Sequence, residues 1–128
     1  MTVSPETWAV IAGRPETPGE PLNHPIVAAS NFYRGADRGY VRSDATPTIA
    51  GFEAVMEGLE GGPTLAFSSG MAAAAAALEL VPIGGRVAIP SDCYYGVSTL
   101  VKVGAERSRW TARVVEVGDT EGWIEALG

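Results

Sequence analysis

The feature that most constrains this fold is an alternation of apolar and helical segments in the second half of the chain. Apolar runs predict strands over residues 63–67, 86–90 and 112–118. The segments between them predict helices over 70–80 and 97–107, and a last helix capped by Asp119 or Thr120. Strands that alternate with single helices are typical of a parallel sheet covered by helices, which is an α/β fold.

The first half of the chain has a different character. Residues 1–25 hold five prolines and predict an extended arm, with a short helix around Trp8. A polar loop with three arginines follows over 34–48, and then a helix begins at Thr48 and ends at Gly61 and Gly62. We therefore expect an arm and loop over 1–47 and a partial α/β domain over 48–128.

Composition excludes several classes of function. The formal net charge of −6 argues against a general nucleic-acid or anionic-membrane surface, which needs a basic face. Cys93 and His24 are the only residues of their types, so neither a disulfide, a cysteine-rich metal cluster nor a His-based metal site is expected. Without a signal-like segment or an apolar run of about 18 residues, the sequence predicts a cytoplasmic chain with no membrane partner.

The stretch "LAFSSGMAAAAAAL" over 65–78 joins a predicted strand to a predicted helix. The first amides of a helix have no partner within it, and the helix dipole favours an anion there. Ser68 or Ser69 can cap the helix and donate a hydroxyl, while Gly70 lets the backbone approach an anion closely. The stretch therefore suits a phosphate, although a serine-capped helix packed on its sheet explains it equally well.

Two further stretches favour a ligand. Tyr40 and Arg42 form a Tyr-x-Arg pair in the polar loop, and a guanidinium beside a hydroxyl suits a phosphate. Tyr94 and Tyr95 follow the next predicted strand, where a tyrosine ring can stack on a flat ring. Since neither a P-loop nor a Rossmann fingerprint is present, the three stretches together indicate a phosphorylated aromatic cofactor.

These residues resemble the trans-sulfuration family of pyridoxal-phosphate (PLP) enzymes, which contains cystathionine γ-synthase and γ-lyase. The resemblance covers residues 25–127, in family order and near family spacing. It rests on four stretches, "YVRSDATPT", "FEAVMEGLEGG", "AFSSGMAAAAAAL" and "GGRVAIPSDCYYGVSTL". It implies an N-terminal arm and the first part of the large PLP-binding domain of a fold-type I transferase.

The resemblance also implies roles for individual residues. The amides of Gly70 and Met71 would bind the cofactor phosphate beside Ser69, and Tyr95 would stack on the pyridine ring. Tyr40 and Arg42 would reach the phosphate held by a neighbouring subunit, so a homo-oligomer, a dimer with shared sites or a tetramer, is expected. The arm also tends to lie on the partner subunit.

The sequence departs from the family pattern at two positions near these motifs. Thr46 stands where the family usually has the asparagine of Asn-Pro-Thr, with one extra residue before it. Val97 stands where a second glycine usually follows the Tyr-Gly pair.

No residue here matches the family's Schiff-base lysine or the carboxylate that pairs with the pyridinium nitrogen. Lys102, the only lysine, falls in the helix after Tyr95 and is interpreted as a surface residue. The resemblance thus implies part of an enzyme for γ-elimination or γ-replacement on sulfur amino acids or activated homoserine, with no catalytic residue of its own and no activity alone. A non-enzymatic remnant and a small module that binds a phosphorylated metabolite are the alternatives.

Overall fold

The computed structural model describes residues 3–128, which form two compact units, one ending at Ala66 and the other spanning Phe67–Gly128. The first unit contains three helices, α1 (Pro5–Ile11), α2 (Val41–Asp44) and α3 (Pro47–Glu60). The second unit contains α4 (Gly70–Glu79), β1 (Gly85–Pro90), α5 (Tyr95–Glu106), β2 (Trp110–Val115) and α6 (Thr120–Leu127). The predicted division at residues 47 and 48 stays a prediction.

Helix α1 confirms the short helix predicted around Trp8, and it packs against α3. The indole Nε1 of Trp8 donates a hydrogen bond to the carbonyl of Val55 at 3.0 Å. The ring lies so close to Gly58 that a Cβ atom there would overlap it. A glycine in the middle of a helix lowers helix stability, but here it lets the arm approach α3 closely.

His24 holds the arm against α3 at a second point. Its Nδ1 lies 3.0 Å from the carbonyl oxygen of Gly13, and its Nε2 lies 2.7 Å from that of Pro47. The imidazole ring also covers Gly51 on the next turn of α3. The arm is therefore ordered along α3 by two long-range polar contacts as well as by packing.

The start and end of α3 agree closely with the sequence. Thr46 is 6% exposed and caps the helix, because its Oγ1 accepts a hydrogen bond from the amide of Ile49. Gly61 ends the helix in the left-handed conformation, with φ at 76°. The one-turn helix α2 lies inside the segment predicted to be a loop.

In the second unit β1 and β2 pair in parallel, from Gly85 opposite Trp110 to Pro90 opposite Val115. Alternate residues of a strand face opposite sides of a sheet. Trp110 packs on the α5 side, whereas Val115 lies near Gly122 of α6 on the other side. Helices therefore cover both faces of this sheet, which confirms the predicted α/β arrangement.

The core of this unit is centred on Trp110, which is 5% exposed and clusters with buried Val87, Ile89 and Val101. Its indole Nε1 donates to the carbonyl of Val101 at 2.9 Å, and its ring lies directly against Gly104. Strand β2 and helix α5 are thereby locked together at one point.

Arg109 covers the outer side of the Trp110 ring. Its guanidinium carbon lies 5.0 Å from the ring centroid, and its two terminal nitrogens donate to the carboxylate of Glu79 at 2.7 and 2.6 Å. These bonds lower the pKa of Glu79. The pair links the C-terminal end of α4 to the start of β2.

The predicted strand over 63–67 is wrong. Leu65 is 74% exposed, and the amide of Ala66 donates to the side chain of Glu53 at 2.8 Å instead of to a neighbouring strand. A strand exists only where a second chain segment accepts its backbone hydrogen bonds. In residues 3–128 no segment pairs with this one, and the sheet has two strands rather than three.

Two predicted boundaries also shift. Strand β2 begins at Trp110 rather than at residue 112, and it ends at Val115 because a turn closes with the amide of Asp119 donating to Glu116. Helix α5 begins at Tyr95 rather than at residue 97. Asp119 caps α6 through the amide of Gly122, as predicted.

The contact between Trp110 and Gly104 yields a stability prediction. In Gly104→Ala the added methyl group overlaps the indole, so the free energy of unfolding should fall by about 1–3 kcal/mol, although alanine favours the helix. Urea denaturation of the purified chain measures this. Gly62→Ala is the control, since a methyl group there meets open space, and an equal effect in both variants would contradict the prediction.

Ala45, between α2 and α3, yields a second stability prediction, in which the substitution should stabilise the fold. Its φ of 56° and ψ of −178° lie in a region that only glycine occupies without strain. Ala45→Gly should therefore raise the free energy of unfolding by about 1 kcal/mol. The matched control is Ala54→Gly, in an exposed turn of α3, which should lower it by about 1 kcal/mol. If thermal or urea denaturation shows a lower free energy of unfolding for both variants, Ala45 is not strained.

Candidate functional site

The N-terminus of α4 is built by Ser69. Its side-chain Oγ accepts a hydrogen bond from the amide of Ala72 at 3.2 Å, and its carbonyl accepts from Ala73 at 3.1 Å. The amides of Gly70 and Met71 come before these and donate to no acceptor among residues 3–128. Two backbone donors at the positive end of the helix dipole are thus left for an outside acceptor.

The space in front of these amides is open. A Cβ atom at Gly70 would have no atom within 4 Å outside its own chain neighbours and helix backbone. The exposed hydroxyl of Ser68 makes no hydrogen bond in the described part of the chain, so Ser69 alone is the cap. The geometry resolves which of the two predicted serines holds the helix end.

The N-terminus of α5 lies beside that of α4. A Cβ atom at Gly96 would lie 2.7 Å from the sulfur of Met71, so the methionine side chain rests directly on this glycine. Gly96 is the second residue of α5, next to Tyr95. The contact between Met71 and Gly96 therefore brings Ser69, Gly70, Met71 and Tyr95 to one end of this unit.

Tyr95 is presented to solvent at this end. Its side chain is 80% exposed, and its carbonyl accepts a hydrogen bond from the hydroxyl of Ser98 at 2.9 Å. Tyr94 is the N-cap residue of α5, and it makes no side-chain hydrogen bond to the helix. Tyr95 thus belongs to the first turn of a helix rather than to a loop, and this turn fixes its backbone.

Tyr40 and Arg42 belong to the first unit. Tyr40 immediately precedes α2, and Arg42 is the second residue of that helical turn. Both side chains are exposed and neither makes a hydrogen bond within residues 3–128. Two groups of predicted site residues are therefore each assembled locally, one in each unit.

Lys102 is a surface residue, as predicted. Its side chain is 77% exposed, and its Nζ lies 4.0 Å from the carboxylate of Glu106 one helical turn later. It lies nearly two turns of α5 after Tyr95. An exposed pair of this kind contributes little to stability.

Two residues that the sequence did not single out contribute to the arrangement. Gly96 allows the contact with Met71, and its only signal is its place after Tyr95 in "DCYYG". Asp44 follows Arg42 by two residues and binds backbone amides around Tyr40. Nothing in its local sequence distinguishes that role from an ordinary solvated carboxylate.

Comparison with known proteins shows the family of this chain. The model of the family described as Cys/Met metabolism PLP-dependent enzyme matches residues 6–128. Cystathionine gamma-synthases of Mycobacterium bovis and Mycobacterium tuberculosis are each 41% identical over 106 residues, 76% of this chain and 27% of theirs.

Solved structures are also similar to this chain. The metB structure from Corynebacterium glutamicum has a TM-score of 0.84 and 28% identity, and the match covers 99% of this chain and 35% of that one. A cystathionine gamma lyase from Micromonospora echinospora has a TM-score of 0.83 and 32% identity over 98% of this chain and 34% of that one.

The second unit is a parallel β/α unit with two helix N-termini side by side at one end. The chain belongs to the Cys/Met metabolism family of PLP-dependent enzymes. The predicted resemblance to trans-sulfuration enzymes and their fold-type I domain is thereby confirmed. The chain spans between about a quarter and a third of the length of these relatives. Within residues 3–128, no helix is long and apolar enough to cross a bilayer.

The cap on α4 yields a prediction. Ser69→Ala removes the acceptor of the Ala72 amide and should lower the free energy of unfolding by about 1 kcal/mol. Ser68→Ala is the matched control, because Ser68 is also exposed and its side chain bonds to nothing described. Urea denaturation of both variants measures the difference. A larger loss for Ser68→Ala would show that the other serine is the cap.

Proposed function

We propose that this chain supplies the phosphate-binding and ring-stacking part of a PLP site in a trans-sulfuration enzyme. The intact enzyme would carry out γ-elimination or γ-replacement on a sulfur amino acid or an activated homoserine. The family match and the similarity to cystathionine gamma-synthases support this assignment. So does the chemistry of the residues that the site brings together.

The observation that carries the proposal is the contact between Met71 and Gly96. It holds two unpartnered amides, those of Gly70 and Met71, near an exposed tyrosine ring. A phosphate needs donors and positive potential, and an aromatic ring needs a flat apolar surface. The two parts of PLP thus match the two parts of this site.

Each of these residues has its own role in binding PLP. The amides of Gly70 and Met71 donate to phosphate oxygens, and the hydroxyl of Ser69 donates while its oxygen still accepts from Ala72. Tyr95 stacks on the pyridine ring and fixes its plane. Arg42 and the hydroxyl of Tyr40 bind the phosphate held by a second subunit, so the functional form is a homo-oligomer.

Catalysis needs more than these residues. When bound, PLP acts as an electron sink for the α-carbon of an amino acid. The protein orients the cofactor and the amino acid and moves protons. Lys102 is exposed and paired with Glu106, away from the first turn of α5. We therefore propose that these 128 residues bind the cofactor without covalent attachment and have no turnover alone.

A PLP titration of the purified chain tests the site. Tyr95→Ala and Arg42→Ala should each weaken saturable PLP binding by roughly tenfold, since each removes one direct contact worth about 1.4 kcal/mol. Tyr94→Ala and Arg34→Ala are the controls, because these neighbours have the same chemistry and are also exposed. Quenching of protein fluorescence or calorimetry gives the affinity.

The outcomes separate the alternatives. Saturable binding that neither Tyr95→Ala nor Arg42→Ala weakens would refute the site, and no binding at all would favour a non-enzymatic remnant. Weaker binding of PLP than of other phosphorylated metabolites would favour a general phosphate-binding module. Borohydride-trapped cofactor on Lys102 together with lyase turnover would refute the proposed lack of activity.

A further inference from the structure

The carboxylate of Asp44 reaches back around the single turn of α2. Its Oδ2 accepts hydrogen bonds from the amides of Gly39 at 2.7 Å and Tyr40 at 2.9 Å. The amide of Asp44 itself donates to the carbonyl of Tyr40 at 2.9 Å. One residue thus satisfies the backbone on both sides of Tyr40, and Arg42 lies in the turn that these bonds close.

A second set of bonds holds the same segment from outside. The amide of Phe32 donates to the carbonyl of Gly39, and the amide of Val41 donates to the carbonyl of Ser30, both at 3.0 Å. They form an isolated antiparallel bridge that pairs Asn31 with Tyr40. A four-residue helix is too short to be stable alone, so the fixed geometry of α2 depends on such contacts.

The side chains that this framework carries are left free. The phenol of Tyr40 is 43% exposed, Arg42 is exposed, and neither bonds to another described residue. Their backbone is held at several points while their functional groups point to no internal partner. That combination is what a group positioned for an external ligand requires.

The charge of Asp44 supports the framework across the neutral range. The bonds from Tyr40 and Gly39 lower its pKa, with smaller contributions from Ser43 and Arg38 and an opposing effect of burial. A carboxyl whose pKa is lower in the folded protein stabilises the fold above its unfolded pKa. That contribution is lost as the pH falls through the folded value, so the loop is held at neutral pH.

We propose that Asp44 is a positioning residue that holds Tyr40 and Arg42 in the geometry needed to bind a phosphate group. The inference rests on the proposed function, which supplies the phosphate as part of PLP. Asp44 does not touch the ligand and acts through the amides of Gly39 and Tyr40. The chain leaves the clamped turn through the strained Ala45.

A competing effect has the opposite sign. A carboxylate two residues from Arg42 also repels a phosphate, so removing it would strengthen binding if charge alone mattered. Asp44→Asn removes the charge but keeps an oxygen that can accept from the two amides, whereas Asp44→Ala removes both. Comparing the two variants therefore separates positioning from repulsion.

The experiment measures PLP affinity by titration and amide hydrogen exchange by NMR in the full chain. Asp44→Ala should weaken PLP binding by roughly tenfold, the loss typical when a supporting group is removed. It should also speed exchange at Gly39 and Tyr40. Asp44→Asn should restore most of both. Asp37→Ala is the control, because this exposed carboxylate lies in the same loop and bonds to nothing described.

Two results would overturn the inference while leaving the proposed function intact. In the first, Arg42→Ala weakens PLP binding but Asp44→Ala leaves it unchanged. In the second, both Asp44 variants bind PLP more tightly than the original chain. Unchanged binding in Arg42→Ala would instead refute the phosphate role of Arg42, whatever the Asp44 variants show. Circular dichroism of each variant confirms that the helices are retained.

Discussion

Trp110 joins the sheet of the second unit to helix α5 through one hydrogen bond and one close contact. Its indole donates to the carbonyl of Val101 and lies on Gly104, one helical turn further along. The same geometry recurs in the first unit, where Trp8 donates to Val55 and lies on Gly58. In both units a helix carbonyl accepts a hydrogen bond from the indole, and the ring packs on the glycine three residues later. The ring can approach the helix this closely because glycine has no side chain.

The arrangement of the α4 and α5 N-termini depends on Trp110 indirectly. Trp110 fixes α5 against the sheet, and the N-terminus of α5 carries Gly96, on which Met71 of α4 rests. The free amides of α4 and the exposed ring of Tyr95 are thus placed by packing rather than by a hydrogen bond between them. A binding site that consists of helix ends needs this support, because a helix end can point anywhere until its body is packed.

Much of the architecture was predictable. The alternation of apolar and helical segments predicted a parallel sheet covered by helices. Ser69 before the alanine-rich run predicted the start of α4, since serine caps and alanine favours a helix through local energetics. The lack of a strand over 63–67 was not predictable in this way, because strand formation depends on a partner segment elsewhere in the chain. The start of α5 was predicted two residues too late, because no capping side chain marks the boundary at Tyr95.

The sequence by itself determined the order of the elements from α4 to α6, because that order depends on residue type and local spacing. It also predicted Tyr40, Arg42, Ser69 and Tyr95 as ligand-binding residues from their motifs. Only the tertiary structure decided the contact of Met71 with Gly96 and the clamp that Asp44 places on the Tyr40 backbone. These depend on distances between atoms that the sequence leaves unspecified, and a distance is set only when the surrounding core is packed.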